Sequence, residues 1–202
     1  MVKVEPFGIY NQQEVQLITL QNKAGMVVKC ATLGCTITYI GVPDRVGQIE
    51  NVVCGFNCAE HYEQHPQYFG CAIGPFAGRL EQSIIEVDGK QFQAEPNEGP
   101  HLLHGGSDGF HAQIWSYEVG ESNNTQFVRF LLKKKYTNFP GNIEMSITYT
   151  LTDENEIVFE YEGTSDEATL INVTNHSYFN LSGNLKRTIC NHQLTVSTSQ
   201  ML

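Results

Sequence analysis

From Ile143 to Leu151 every second residue is apolar: Ile143, Met145, Ile147, Tyr149 and Leu151 alternate with Glu144, Ser146, Thr148 and Thr150. A period of two is that of a strand with one face buried and the other in water. The polar turn Thr152 to Asn155 leads into Ile157, Phe159 and Tyr161, which alternate with Val158 and Glu160, so the two runs read as an antiparallel hairpin. A second hairpin is signalled by "SIIEV" and "QFQAE" on either side of Asp88-Gly89-Lys90, because Asp-Gly is a favoured two-residue connection between such runs. Further strands are expected at 15–20, 26–31, 36–40, 126–132, 168–175 and 191–196. Helix is confined to "NCAEHYEQ", where Asn57 precedes Glu60 by three residues, a start signal, and Pro66 is expected to stop it after two turns. Many short strands split by Gly and Asn turns predict an all-β fold, an antiparallel sandwich or barrel, forming a single domain over residues 1–202 without repeat or linker.

A chain of 202 residues, 41% hydrophobic and 17% charged, can build a real core. At about 150 residues a domain already buries close to 70% of its unfolded surface, so neither disulfides nor a metal are needed for stability. The six cysteines form no CxxC pair and follow no secretory segment, which predicts reduced, mostly buried thiols in a cytoplasmic protein. Disulfides, or zinc at Cys54 and Cys58, are the alternative. A net charge of -10, from 22 acidic and 12 basic residues, argues against nucleic acid as a partner. The run Lys133-Lys134-Lys135 is expected to be a solvated strand end. No apolar run approaches the ~20 residues that span a bilayer, so no membrane role is expected. GxGxxG after a strand, GxxxxGK[ST] and HExxH are all missing, and with them the local signatures of nucleotide binding and common zinc proteases.

Three segments carry chemistry. "GPFAGRL", Gly74 to Leu80, presents Arg79 after a glycine-rich approach that leaves its guanidinium little shielded. "HLLHGGSDGF" places His104 before Gly105 and Gly106, which permit positive φ or a close ligand. His101 and His104 have tolerable metal spacing but no evident third ligand, and His104 taken alone reads by default as a hydrogen-bonded structural histidine. In "TNHSYFNLSG", an extended backbone would put His176, Tyr178 and Asn180 on one face, about 6.6 Å apart in succession. An imidazole, a phenol and an amide suit a neutral polyhydroxylated ligand, and His176 suits acid or base work near neutrality. The competing reading is that Asn175, Asn180, Ser182 and Gly183 build a turn that His176 caps.

In order and content, "GPFAGRL", "VDGK", "LLHGGSDGFHAQIW", "FPGNIEMSITYTL" and "NVTNHSYFNLSG" resemble the aldose 1-epimerase (galactose mutarotase) family. The resemblance implies a large antiparallel β-sandwich, the galactose mutarotase-like supersandwich, incomplete here at its C-terminus. It also implies isomerase activity on hexoses such as glucose or galactose, with no metal or organic cofactor. By the same resemblance His176 and His104 are the catalytic residues, His176 as the general acid at the ring oxygen, while His104 and Arg79 hold the sugar and its ring-opening oxygen, and Tyr178 and Gly78 adjoin it. Two departures are visible. Gly78 stands where the family usually has asparagine, so one amide contact is lost. The family's glutamate base and a sugar-binding aspartate lie beyond the segment ending at Leu202, and Glu81 or Asp108 is the substitute carboxylate to consider. Activity of this chain alone is therefore doubtful, and self-association or a complementing C-terminal polypeptide is expected at the unfinished sheet edge. The alternatives are a sugar-binding module without catalysis and a hexose-phosphate epimerase, the latter short of basic residues beside Arg79.

Overall fold

In a computed structural model, residues 2–198 other than Pro66 and Asn123 are described, and nearly all regular structure is strand. In chain order the elements are β1 (Lys3–Tyr10), β2 (Gln13–Gln21), β3 (Val27–Ala31), β4 (Thr36–Pro43), β5 (Ile49–Asn51), α1 (Ala59–Gln64), β6 (Ala72–Ile73) and β7 (Arg79–Leu80). There follow β8 (Ile84–Val87), β9 (Lys90–Gln93), β10 (Leu102–Leu103), β11 (Ser116–Ser122), β12 (Thr125–Lys135), β13 (Asn142–Thr152), β14 (Ile157–Ser165) and β15 (Thr174–Asn175). β1 to β5 form one antiparallel meander, and β11 to β14 a second. Their apolar faces share one core, in which Ile18, Leu20, Val28 and Ile37 of the first sheet meet Val128, Phe130, Ile147 and Tyr149 of the second. The result is an antiparallel β-sandwich, as the alternation predicts.

Sequence explains the layering. In β2 the odd positions Val15 and Leu17 pack with Phe7, Leu33 and Ala59 on the outer side, where α1 covers the sheet, while Ile18 and Leu20 enter the shared core. A strand apolar on both faces is central, and β2 lies between β1 and β3. Tyr149 crosses the sandwich: its hydroxyl donates to the Cys35 carbonyl at 2.9 Å, and burial raises the phenol's pKa. The Asp88-Gly89 hairpin forms with Val87 opposite Lys90, and both turn residues have positive φ, as a type I′ connection requires.

Several expectations fail for identifiable reasons. Residues 191–196 form no strand. A 3-10 turn at Ile189–Asn191 is followed by exposed chain outside any strand, since among the described residues no strand offers that segment a ladder. Of 168–175 only Thr174–Asn175 forms a strand, paired with β6, while Asn172 makes an isolated parallel bridge to Phe76. The helix is capped by Cys58 without a side-chain bond, and Glu60 reaches out to the Ile9 amide at 2.9 Å instead of back to Asn57. Pro66, expected to stop that helix, lies outside the described residues. Cys30, Cys35 and Cys71 are buried small side chains, and all six cysteines carry free thiols. The lysine run is a strand end, with Lys133 paired to Glu144 and Lys134 to the Gln113 amide oxygen. Among the described residues no helix is long and apolar enough to cross a membrane.

Tyr149→Phe leaves the Cys35 carbonyl buried without its donor. Urea unfolding is expected to show a loss of about 1–2 kcal/mol with an unchanged m value, and an unaltered midpoint would contradict this cross-sheet bond.

Candidate functional site

The site is assembled at one end of the sandwich from three loops that the backbone ties together. Gly70 is the junction: its carbonyl accepts from the Ile37 amide of β4, and its own amide donates to the His176 carbonyl. The approach is so close that a Cβ on Gly70 would lie 1.9 Å from the Ile37 oxygen, and φ is +69°. Only glycine fits there. The His176 amide in turn donates to Cys71, and Cys54 donates to Tyr178, so the histidine strand is held from two sides. Asn175 completes the clamp. Its Nδ2 donates to Gly70 at 2.9 Å, and its Oδ1 accepts from the Ser177 amide and hydroxyl.

His104 comes from the other direction. β10 pairs with β7, opposing Leu103 to Arg79, and the His104 amide donates to the Gly78 carbonyl. The Gly78 amide donates back to His104 Nδ1 at 3.1 Å. An imidazole nitrogen that accepts carries no proton, so this ring is neutral with its hydrogen on Nε2, available as a donor. His104 is correspondingly hard to protonate, first through burial and then through the charges of His176 and Arg79, partly opposed by Glu98. The turn that follows is equally constrained, since a Cβ on Gly105 would lie 2.2 Å from the Gly74 carbonyl oxygen.

These constraints bring the two histidines together, with ring centroids 5.2 Å apart at an interplanar angle of 82°. Tyr178 lies 5.2 Å from His176 and is half exposed, and Phe69 stands edge-on to Tyr178 at 5.0 Å. Tyr68 packs against His104, His176 and His111 at once, with centroids 5.1, 5.8 and 4.9 Å away. The arrangement offers imidazole and phenol groups beside aromatic faces, suited to a ligand with hydroxyls and C–H surfaces. Behind Tyr68 a cavity of about 130 Å³ is lined by Tyr62, Ser107 and His111 among others.

Of the residues singled out from sequence, Gly78, His104, His176 and Tyr178 therefore share one region. Arg79 is adjacent through β7, forked onto Glu98 with its Nη2 donating at 2.8 Å and its Nε bonding the second oxygen. Asn180 departs from the expected face. The extended run ends at Phe179, which bridges to Val53, and Asn180 is buried, accepting from Ser182 and donating to the Arg187 carbonyl. The turn reading thus holds for Asn180 and Ser182, whereas His176 stays in the cluster. His101 accepts from the Gln82 amide. Asp108 turns toward Lys134, and Glu81 sits in a 3-10 turn. Glu98, Tyr68 and His111 were not singled out. The signal for Glu98 was the Gly99-Pro100 turn, which folds Glu98 back onto His101.

Residues 16–202 match the aldose 1-epimerase family model. The chain is 40% identical to human galactose mutarotase over 169 residues, covering 84% of this chain and 48% of that protein. It is 34% identical to aldose 1-epimerase of Escherichia coli K12 over 192 residues, 94% of this chain and 54% of the other. Among solved structures, galactose 1-epimerase of Lactobacillus acidophilus superposes with a TM-score of 0.80 at 27% identity, over 89% of this chain and 53% of that one. The chain thus spans about half the length of the relatives it matches.

His111 is mostly buried, and its pKa is pushed down to about 4, chiefly by desolvation and secondarily by His104. Both rings resist protonation in the folded state, so below about pH 6.5 the unfolded chain binds more protons. Stability is full above that pH and falls as pH drops toward 4, by roughly 3 kcal/mol from His111 alone. Chemical denaturation is expected to show this slope, and His111→Gln to remove most of it. An unchanged slope would contradict the assignment.

Proposed function

The chain belongs to the aldose 1-epimerase family, and we propose that its His104–His176 cluster binds a hexose such as galactose or glucose and serves interconversion of the α and β anomers, in the cytoplasm. The observation that carries this reading is the pair of imidazoles 5.2 Å apart, one of them with a fixed Nε2 donor, beside the half-exposed Tyr178. In the proposed chemistry His176 gives a proton to the ring oxygen as the bond from C1 to that oxygen breaks. A carboxylate takes the proton of the C1 hydroxyl, leaving an open-chain aldehyde. Rotation about the C1–C2 bond and closure from the opposite face, with both protons returned, yields the other anomer.

In this scheme the histidine pair divides its work. His104, neutral and donating from Nε2, holds a sugar oxygen, and Arg79 with Gly78 borders the same ligand. Tyr178 and Phe69 supply the ring faces on which sugar C–H groups pack. No metal or organic cofactor has a part in it.

A second reading, a sugar-binding module without turnover, draws support from Glu98. This carboxylate acts electrostatically on His104, yet it is held by Arg79, which keeps its pKa below the usual glutamate range. A carboxylate in that state is a weak base. Positioned acid–base groups contribute about 10²- to 10⁴-fold each, so a site with its acid but a weak base should be slow rather than inert.

Polarimetry of freshly dissolved α-galactose tests both readings. Saturable binding with modest acceleration over buffer is expected, rising further with added acetate in proportion to protein, and His176→Ala should remove the protein-dependent part. Binding without any acceleration, with or without acetate, would favour the binding module. Acceleration that survives His176→Ala would overturn the assignment of the acid.

A further inference from the structure

The rim of the histidine site carries a guanidinium whose charge is already matched. Arg79 follows Gly78, which exchanges bonds with His104, and in the β7–β10 ladder it opposes Leu103, the residue before that histidine. Glu98 meets it from the loop ahead of β10. Arg79 Nε and Nη2 donate to different oxygens of the Glu98 carboxylate, a fork in which cation and anion cancel. The pair is open to solvent, with 61% of the arginine side chain and 41% of the glutamate exposed, so it adds little to folding stability. Its effect on the site is larger, because both charges act on the His104 ring.

The loop bearing Glu98 is tied down on both sides. The Asn97 side chain clips β10, its Nδ2 donating to the Leu103 carbonyl at 3.0 Å and its Oδ1 accepting from the Leu103 amide at 2.7 Å. The Glu98 amide donates to the His101 carbonyl at 3.1 Å, and the His101 amide donates back to Glu98 at 3.0 Å. A carboxylate is thereby held against Arg79 by the same strand that delivers His104.

We infer that Glu98 sets the charge specificity of the site: by holding Arg79 it admits neutral sugars and turns away anionic ones, hexuronates and hexose phosphates. Of the five N–H bonds of a guanidinium the fork uses two, and the remaining three still donate to neutral hydroxyls. An anionic substituent gains little from them. The cation is already matched, and an anion that took the place of Glu98 would leave that carboxylate unpaired beside a like charge, which is how a site discriminates by repulsion. The chain's net charge of -10 acts in the same direction. The sugar specificity rests on the sugar-binding reading given above, with or without turnover, whereas the masking of Arg79 does not.

The test is titration of the unmodified chain and of Glu98→Gln with sulfate, galactose and galacturonate, followed through the His104 ring by NMR. Glutamine keeps the shape of the side chain and an acceptor for Arg79 while removing the charge. Sulfate is expected to bind Glu98→Gln at least about tenfold more tightly than the unmodified chain, and the preference for galactose over galacturonate to fall at least about tenfold in the variant. Both differences should shrink as salt is raised from about 0.02 to 0.5 M. Glu95→Gln makes the same charge change at an exposed position earlier in the loop and should alter neither. Equal sulfate affinity in the unmodified chain and Glu98→Gln would overturn the inference. So would a sugar preference that Glu98→Gln leaves unmoved, or that Glu95→Gln moves as far. Tighter sulfate binding by Glu98→Gln, with galactose bound by neither protein, would uphold the masking of Arg79 and count against the sugar-binding reading alone.

Discussion

Gly70 joins the core to the chemistry. Its carbonyl is bonded to the Ile37 amide of a strand buried in the sandwich, and its amide to the carbonyl of His176. A peptide group shared between a core strand and a functional loop passes the rigidity of one to the other, because neither hydrogen bond can be given up without leaving a buried polar group unpaired. The other contacts of the site follow from that placement. With His176 fixed, Tyr68 can pack against both it and His104, and Tyr178 faces outward beside Phe69.

The second constraint is electrostatic. The Gly78 amide donates to His104 Nδ1, so the ring must present its proton from Nε2, and partial burial beside His176 and Arg79 keeps it neutral. Two histidines side by side would repel if both were charged. In the proposed chemistry one ring is the fixed neutral donor and the other gives the proton, the division of labour that ring opening of a sugar would need.

Much of this was legible in the sequence. The period-two runs and the Asp-Gly turn located β8, β9, β12, β13 and β14, because each of these signals depends on residues next to one another in the chain. The family motifs pointed to His104, His176, Tyr178, Arg79 and Gly78, which the fold brings into one region. Long-range bonding was not legible: that Glu98 would capture Arg79, that Tyr68 would sit between three histidines, or that Glu60 would leave its helix to hold the Ile9 amide. Period-two extrapolation failed at Asn180, whose side chain accepts from Ser182 in an Asx turn instead of continuing the face. It failed again at 191–196, where alternation is present but no strand among the described residues pairs with it. A strand pattern states what a segment can do once a partner is supplied.

The central claim is that folding turns His104 and His176 into one sugar-binding pair with a fixed donor and a mobile proton. Nitrogen-15 NMR of the histidine rings tests it directly. At pH 7 His104 is expected as the neutral Nε2–H tautomer, and galactose should shift His104 and His176 together along a single saturable curve. A Nδ1–H tautomer at His104, or galactose that leaves both rings unmoved, would contradict the account.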